Sequence, residues 1–215
     1  SNELRSQVTT EQIRLRKAEF ELLQSQINPH FLYNTLDAIV WLAESGEKEL
    51  VVKTVGSLSD FFRASLNQGK DIVTVREDVG HVRSYLEIQH IRYQDILDYE
   101  IDVPEEIYEY HIPKITIQPL VENALYHGIK NKRGKGKITV TGRKFAHYIE
   151  IYVSDNGQGI SEDRLKEVLK NINNRSESEK TTYGLYNVNE RIRLDFGDKY
   201  GINIDSKYGE GTTVS

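Results

Sequence analysis

The chain has 215 residues, 28 Lys and Arg against 33 Asp and Glu, 38% hydrophobic residues, 4 Pro and neither Cys nor Met. That length carries one ordinary domain or two small ones with a core of normal size, and the missing Cys excludes disulfides, thiolate zinc sites and a cysteine nucleophile. The mildly acidic balance, with no basic block beyond Lys130–Lys137, argues against nucleic acid as the main partner.

From Glu3 to about Glu44 the composition is helical, with Ile13, Phe20 and Ile27 at seven-residue intervals and Leu23 between them. This pattern suits a seam with a partner helix or one amphipathic helix packed on its own domain. Ser45-Gly46-Glu47 is a stop signal, after which Leu50, Val51, Val55, Leu58, Phe61 and Phe62 follow helical spacing. Two helices joined by a short turn are expected to expose apolar stripes that a second copy covers, as a homodimeric four-helix bundle.

Asn67-Gln68-Gly69-Lys70-Asp71 reads as a linker, which divides the chain into a helical segment, 1–70, and a second domain, 71–215. In the second domain a helix is expected from Glu77 to about Gln94. Strands are expected at Leu97–Val103, Lys137–Phe145, Tyr148–Ser154 and Ile202–Lys207, with helices at Ile115–Ile129, Glu162–Ile172 and Leu185–Phe196. The alternation predicts an α+β sandwich with helices over one face of a mixed sheet. No apolar run approaches the roughly 20 residues that cross a bilayer. Because the chain opens on Ser1-Asn2 and stops inside an alternating pattern, it reads as a fragment whose only route to a membrane is through segments outside it.

Asp155-Asn156-Gly157-Gln158-Gly159 falls where a strand gives way to a helix. Glycines there let a flat ligand approach the backbone, and a carboxylate at the strand end can accept from an exocyclic amine such as that of adenine; the same pattern also makes an ordinary turn. Upstream, Glu122, Asn123 and His127 are set in an apolar helix. An Asn carbonyl suits Mg²⁺, and Lys130, one turn beyond His127, can reach a phosphate. Asn123 and His127 can equally be satisfied structural residues. Downstream, Thr182-Tyr183-Gly184-Leu185-Tyr186-Asn187 opens a helix after a polar stretch, an arrangement that covers and holds phosphates. Tyr208-Gly209-Glu210-Gly211-Thr212 then turns into the last strand.

In this order Glu122-Asn123-Ala124, Asp155-x-Gly157-x-Gly159, Gly184-Leu185 and Gly209-x-Gly211-Thr212 resemble the Bergerat ATP-binding fold shared by gyrase, Hsp90, MutL and histidine kinases. The segment Leu23-Gln24-Ser25-Gln26-Ile27-Asn28-Pro29-His30-Phe31-Leu32-Tyr33-Asn34-Thr35-Leu36 is similar to the phosphoacceptor box of LytS/YesM-type sensor histidine kinases. Leu86-x-Ile88-Gln89-x-x-Arg92-Tyr93 is in the same style, so the resemblance covers essentially the whole chain. It implies autophosphorylation of His30 with ATP and transfer to an Asp of a response regulator, in the cytoplasmic part of a bacterial inner- or plasma-membrane sensor. By the same resemblance Asn123 holds Mg²⁺ and Asp155 selects adenine, while Gly157, Gly159, His127, Lys130, Gly184, Leu185, Asn187 and Thr212 line the nucleotide site.

The residues around His30 support two readings that can hold together. Pro29 either kinks a continuous helix and exposes the imidazole, or begins a new helix at N1 with Asn28 as cap. Phe31 stands where several other histidine-kinase families carry an acidic residue, which leaves Asn34 as the candidate to orient His30. Thr182 replaces a glycine common in relatives, and Pro119 occupies the position of the water-activating Glu of hydrolytic relatives. Two other classes remain: an ATPase or conformational clamp of the gyrase kind, and a non-catalytic dimerisation module with a degenerate pocket.

Overall fold

Pro29 lacks an N–H and has a φ preset for helix, so it is suited to the first helical position. In the computed structural model, which describes residues 7, 9–10, 12–13, 28–174 and 182–215, helix α1 (Pro29–Glu44) begins there. Asn28 is in extended conformation and its side chain accepts the His30 N–H at 3.1 Å. Asn28-Pro29 is thus a helix start; the upstream seam residues Phe20, Leu23 and Ile27 lie outside the described residues. At the other end of α1, Glu47 N–H bonds Leu42 O and Gly46 N–H bonds Ala43 O, with Gly46 left-handed. That is a Schellman stop, and helix α2 (Lys48–Leu66) follows it.

The chain divides into two units, Ser1–Val52 and Lys53–Ser215. In the first, α1 buries Phe31, Thr35 and Leu42 on one face. In the second, α2 from Lys53 onward buries Thr54, Ser57, Leu58, Phe61 and Ser65. The expected boundary at 70/71 falls just after a short 3-10 turn, Asn67–Gly69.

Beyond that turn come β1 (Ile72–Thr74), α3 (Val75–Arg92), β2 (Leu97–Asp102), β3 (His111–Pro113) and α4 (Ile117–Asn123). A π-helical segment, Ala124–Ile129, continues α4. It is followed by β4 (Gly136–Lys144), β5 (Ile149–Asp155), α5 (Glu162–Asn173), α6 (Tyr183–Phe196), β6 (Ile204–Lys207) and β7 (Gly211–Val214). The five-stranded sheet has the order β2-β4-β5-β7-β6, parallel only between β2 and β4. Strands β1 and β3 form a separate antiparallel pair. Helices α3, α4 and α6 pack in succession as a layer, with α3 against β2 and α4 against β5. Leu97, Ile138, Val140, Val153 and Val214 supply the sheet's part of the core. The architecture is α+β, and among the described residues no helix is long and apolar enough to cross a membrane.

Two differences from expectation concern helix ends. Helix α3 starts two residues early because Thr74 and Glu77 form a capping box, with Glu77 N–H on Thr74 Oγ1 at 3.2 Å and Thr74 N–H on Glu77 Oε2 at 2.9 Å. The helix expected over Ile115–Ile129 starts only at Ile117, since Ile115 has φ +58°, and it changes to π winding after Asn123. The cause at its start is Asp78, 2% exposed on α3. Its carboxylate accepts the N–H groups of Ile115, Thr116 and Ile117 at 2.8, 3.2 and 3.0 Å. Those of Thr116 and Ile117 are among the donors a helix start leaves unpaired, and Ile115 is the residue that leads into it. Burial nevertheless pushes the Asp78 pKa up to about 6, outweighing the three N–H groups and nearby Arg191.

Asp78→Asn should destabilise the fold by about 1–3 kcal/mol, because an amide NH₂ replaces one acceptor oxygen opposite a backbone donor. Urea unfolding of both chains measures this; an unchanged midpoint would mean that α4 does not need the cap.

Candidate functional site

The site grows from the end of β5. Its register sets Asp155 opposite Ile138 of β4 on one side and Thr212 of β7 on the other. The chain then turns back on itself: Gly157 N–H donates to Asp155 Oδ1 at 2.8 Å, and Asn156 Oδ1 accepts from Lys137 N–H at 2.7 Å. Thr212 N–H also donates to the Asp155 carboxylate. The half-buried carboxylate is therefore oriented by its own turn and by the neighbouring strand.

Two glycine contacts make the floor. A Cβ on Gly157 would lie 2.5 Å from Gly128 Cα, and one on Gly128 would lie 2.5 Å from Asp155 Oδ1. No larger residue fits either place without moving backbone or the carboxylate. Gly159, at φ +69°, backs onto Lys207 so closely that a Cβ would sit 2.1 Å from the Lys207 carbonyl oxygen. The two glycine turns are also bonded to each other, by Gly209 N–H to Gln158 O at 2.6 Å and Ile160 N–H to Ser206 Oγ at 2.8 Å. Ser206 Oγ in turn meets Thr212 Oγ1 at 2.7 Å.

Asn123 is the last α-helical residue before the π segment. Among the described residues its half-buried side-chain amide makes no hydrogen bond, which leaves the carbonyl oxygen available to an oxygen-seeking cation such as Mg²⁺. The face expected to join Asn123 and His127 runs across the change to π winding, where bonds reach one residue further than in an α-helix. The π segment delivers Gly128 to Asp155. His127 is exposed at its edge, and desolvation of its ring together with Arg164 lowers its pKa. Glu122 turns toward α3, where Tyr85 donates to it, and Gln118 Nε2, one turn back on its own helix, is a second donor at 3.2 Å. The Lys130 ammonium rests over the rings of Tyr93 and Tyr126, 5.0 and 4.7 Å from their centroids.

At the start of α6, Thr182 is buried, and its carbonyl accepts the Tyr186 N–H at 2.9 Å. Leu185 is buried, Gly184 and Asn187 are more open, and a Cβ on Gly184 would lie 3.7 Å from Pro119 Cβ. The α6 start thus stands beside α4. Positions 175–181 of the expected phosphate-covering stretch lie outside the described residues. In the other unit His30 is exposed, with the Asn34 amide nitrogen 3.0 Å from its Nδ1 and 3.3 Å from its Nε2.

Sequence reasoning did not single out Gly128, Lys132 or Asn156. Gly128 looks like an ordinary helix-end glycine, and its contacts are long-range. Lys132 Nζ donates to Asn156 O at 2.7 Å and is the nearby charge acting on Asp155. Desolvation still dominates there and raises the Asp155 pKa to about 6.

A carboxylate at a strand end, glycine turns against it and an Asn on the adjoining helix whose amide is unpaired among the described residues thus form one constellation of an α+β domain. Residues 113–215 match the family described as "Histidine kinase-, DNA gyrase B-, and HSP90-like ATPase", and residues 18–97 match "Histidine kinase". The chain belongs to the histidine kinase family. It is 37% identical over 213 residues to Sensor histidine kinase YesM of Bacillus subtilis, which covers 99% of this chain and 35% of that protein. It is 31% identical to Sensor histidine kinase BtsS of Escherichia coli K12, over 94% of this chain and 33% of that protein. Sensor protein LytS of Bacillus cereus is 32% identical, over 94% of this chain and 34% of its own length. The chain thus spans about a third of the length of these curated relatives.

A carboxylate with its pKa near 6 accepts best when ionised, so ATP affinity should rise as pH increases from 5 to 7. The rise should be smaller for a triphosphate whose base lacks the exocyclic amine, a comparison that cancels phosphate ionisation. Calorimetry should also find the difference abolished in Asp155→Asn, whose loss of a charge-assisted bond costs about 1.5–3 kcal/mol for ATP alone. Equal losses for the two nucleotides would make Asp155 structural.

Proposed function

We propose that this chain is the kinase core of a two-component sensor, which phosphorylates His30 with ATP and passes the phosphoryl group to an Asp of a response regulator. The observation that carries the nucleotide part is the half-buried, pre-oriented Asp155 carboxylate with Gly128, Gly157 and Gly159 closing its floor. Asp155 accepts from the adenine amine, and the glycine turns let the base lie against backbone. Thr212, bonded to Asp155, belongs to the base end of the nucleotide site, while His127 and the start of α6 at Gly184, Leu185 and Asn187 surround the phosphates, toward which Lys130 swings from its tyrosine rest. Asn123 holds Mg²⁺, which when bound neutralises phosphate charge; the chain's own task is alignment.

An imidazole supplies a lone pair without a strong base, and that of His30 is exposed to do so. Its nitrogen bonds the γ-phosphorus, the bond to the β–γ bridging oxygen breaks, ADP leaves with that electron pair, and the other ring nitrogen gives its proton to solvent. Asn34, in contact with the ring, restricts its orientation. Transfer then breaks the P–N bond as the regulator's carboxylate oxygen attacks.

The roles divide as 1–70 for dimerisation and phosphoacceptance and 71–215 for nucleotide binding. Opposite the buried face of α1, Tyr33, Leu36 and Val40 are 66%, 44% and 56% exposed, a stripe that a second copy of the chain covers. The fragment is read as the cytoplasmic part of a bacterial membrane sensor, attached through segments outside this sequence. A hydrolytic clamp shares such a pocket but needs a carboxylate to activate water. Here Pro119 stands in that position, and Glu122 is occupied by Gln118 and Tyr85.

Incubation with γ-labelled ATP tests the reading. His30→Ala should bind Mg-ATP yet take up no label, and label on the parent chain should be lost in acid and kept in alkali, since a protonated phosphoramidate leaves easily. Acid-stable label would mean a Ser or Thr acceptor, turnover without label the clamp, and no nucleotide binding the inert module. Light scattering at micromolar concentration should give a dimer, and a monomer would sink the bundle.

A further inference from the structure

Helix α3 runs beside α4 and its π continuation with a constant offset. Asp78 meets Ile115, and Tyr93 meets Lys130, each pair 37 positions apart. Between them Tyr85 meets Glu122 and Gln89 meets Tyr126 at the same spacing. The central pair is fully buried: Tyr85 and Gln89 are both 0% exposed.

The donors and acceptors in this seam have only one consistent direction. Arg92 can only donate, and its Nη1 lies 3.0 Å from Gln89 Oε1. That orients the amide, so Gln89 Nε2 donates to the Tyr85 hydroxyl at 2.9 Å and faces the Tyr126 hydroxyl as well. With its oxygen accepting from Gln89, Tyr85 donates its own proton to Glu122, whose second donor is Gln118. Arg92 Nη2 and Lys130 Nζ both donate to the Tyr93 hydroxyl, each at 3.3 Å. Asn123 lies between two positions the relay holds, Glu122 just before it and Tyr126 three residues after it. On the opposite side Gly128 is pressed against Asp155 and Gly157.

We infer that Gln89 is a positioning residue for the Mg²⁺-holding Asn123, acting through Tyr85–Glu122 on one side and Tyr126 on the other. The inference rests on the proposed nucleotide reading and deepens it. Without the Gln89 amide, Tyr126 loses its donor and the Tyr85 hydroxyl loses the donor that turns its proton toward Glu122, just where α winding changes to π winding, and the Asn123 carbonyl loses its fixed direction. Nothing in the relay touches the base side of the site, so Asp155 and the glycine turns should keep their geometry. The relay thus separates metal affinity from nucleotide affinity.

The experiment compares the parent chain with Gln89→Leu and Tyr85→Phe, measuring thermal midpoint, ATP affinity with and without Mg²⁺, and the rate of labelling against Mg²⁺ concentration. Both variants should keep Mg²⁺-free ATP affinity within about twofold while losing roughly tenfold of Mg²⁺ affinity, the usual cost of removing a residue that orients a ligand. Excess Mg²⁺ should restore the labelling rate. Equal losses of ATP affinity with and without Mg²⁺, or a lowered midpoint with unchanged Mg²⁺ affinity, would make the relay merely structural and overturn the inference. Tyr85→Phe keeps the packed ring and guards against simple misfolding of the Leu variant. Parent binding with unaltered variants overturns the positioning role alone, whereas a parent that binds no nucleotide overturns the functional reading and this role with it.

Discussion

The placement of α4 depends on one buried carboxylate. Asp78 is the first rung of the seam between α3 and α4, and its three backbone bonds fix both where α4 begins and how far it is shifted along α3. Parallel neighbouring helices have no short turn to set their register, because the connection must return the full length of the first helix. Here that return runs through β2 and β3. A side-chain cap from one helix to the start of the other supplies the missing constraint. Its cost is visible in the raised pKa of Asp78, where desolvation exceeds what the N–H groups return.

Asp155 has the same direction of shift and a different use. A carboxylate offers about four acceptor positions. Asp78 gives three of them to backbone and is closed off by burial, whereas Asp155 gives two, to Gly157 and Thr212, and sits half exposed at the end of the sheet's central strand. The Asp155 carboxylate is therefore oriented but unsaturated, which is what recognition of an amine requires. Both groups favour the neutral form relative to the unfolded chain. Their contribution to stability is full below the ordinary carboxylate range and is lost as pH rises through about 6. The folded chain gives up some stability at neutral pH to keep two carboxylates ionised in place.

Much of this was legible in the sequence because the signals are local. Period-2 alternation marked β4 and β5, and the Asp155-x-Gly157-x-Gly159 turn lies at a strand end as its composition implies. The capping box at Thr74 and Glu77 is an equally local T-x-x-E pattern, yet the helix expected from the sequence starts at Glu77 and misses it. What escaped reading is long-range. Gly128 is explained only by its contact with Asp155 and Gly157, and the π winding after Asn123 only by what each side of that segment must reach. Short β1 and β3 are three residues each, too brief for periodicity to register. Glu122, adjacent to Asn123 in a motif, is directed away from the site by a partner 37 positions upstream.

The same physics explains why the chain divides into units within α2, ahead of the stretch whose composition suggests a linker. Phe61 of α2 stacks on His81 of α3 with ring centroids 4.6 Å apart, and Ser57 donates to Glu87 at 2.6 Å. Ser65 gives its proton to the Phe61 carbonyl at 2.8 Å, so His81, 2.8 Å from the same hydroxyl, must donate from Nε2. Its Nδ1 is then buried and, among the described residues, without a partner, and desolvation with nearby Lys114 lowers the His81 pKa to about 4. The imidazole is neutral at physiological pH, and these contacts hold without any titration. The second half of α2 therefore belongs with α3, and through the Asp78 cap and the Gln89 relay α3 belongs with the segment that carries Asn123. Asn67–Gly69 is a turn inside this unit: its polar, glycine-containing composition gives a tight reversal, while the packing of Phe61 and His81 keeps the helices on either side of it together.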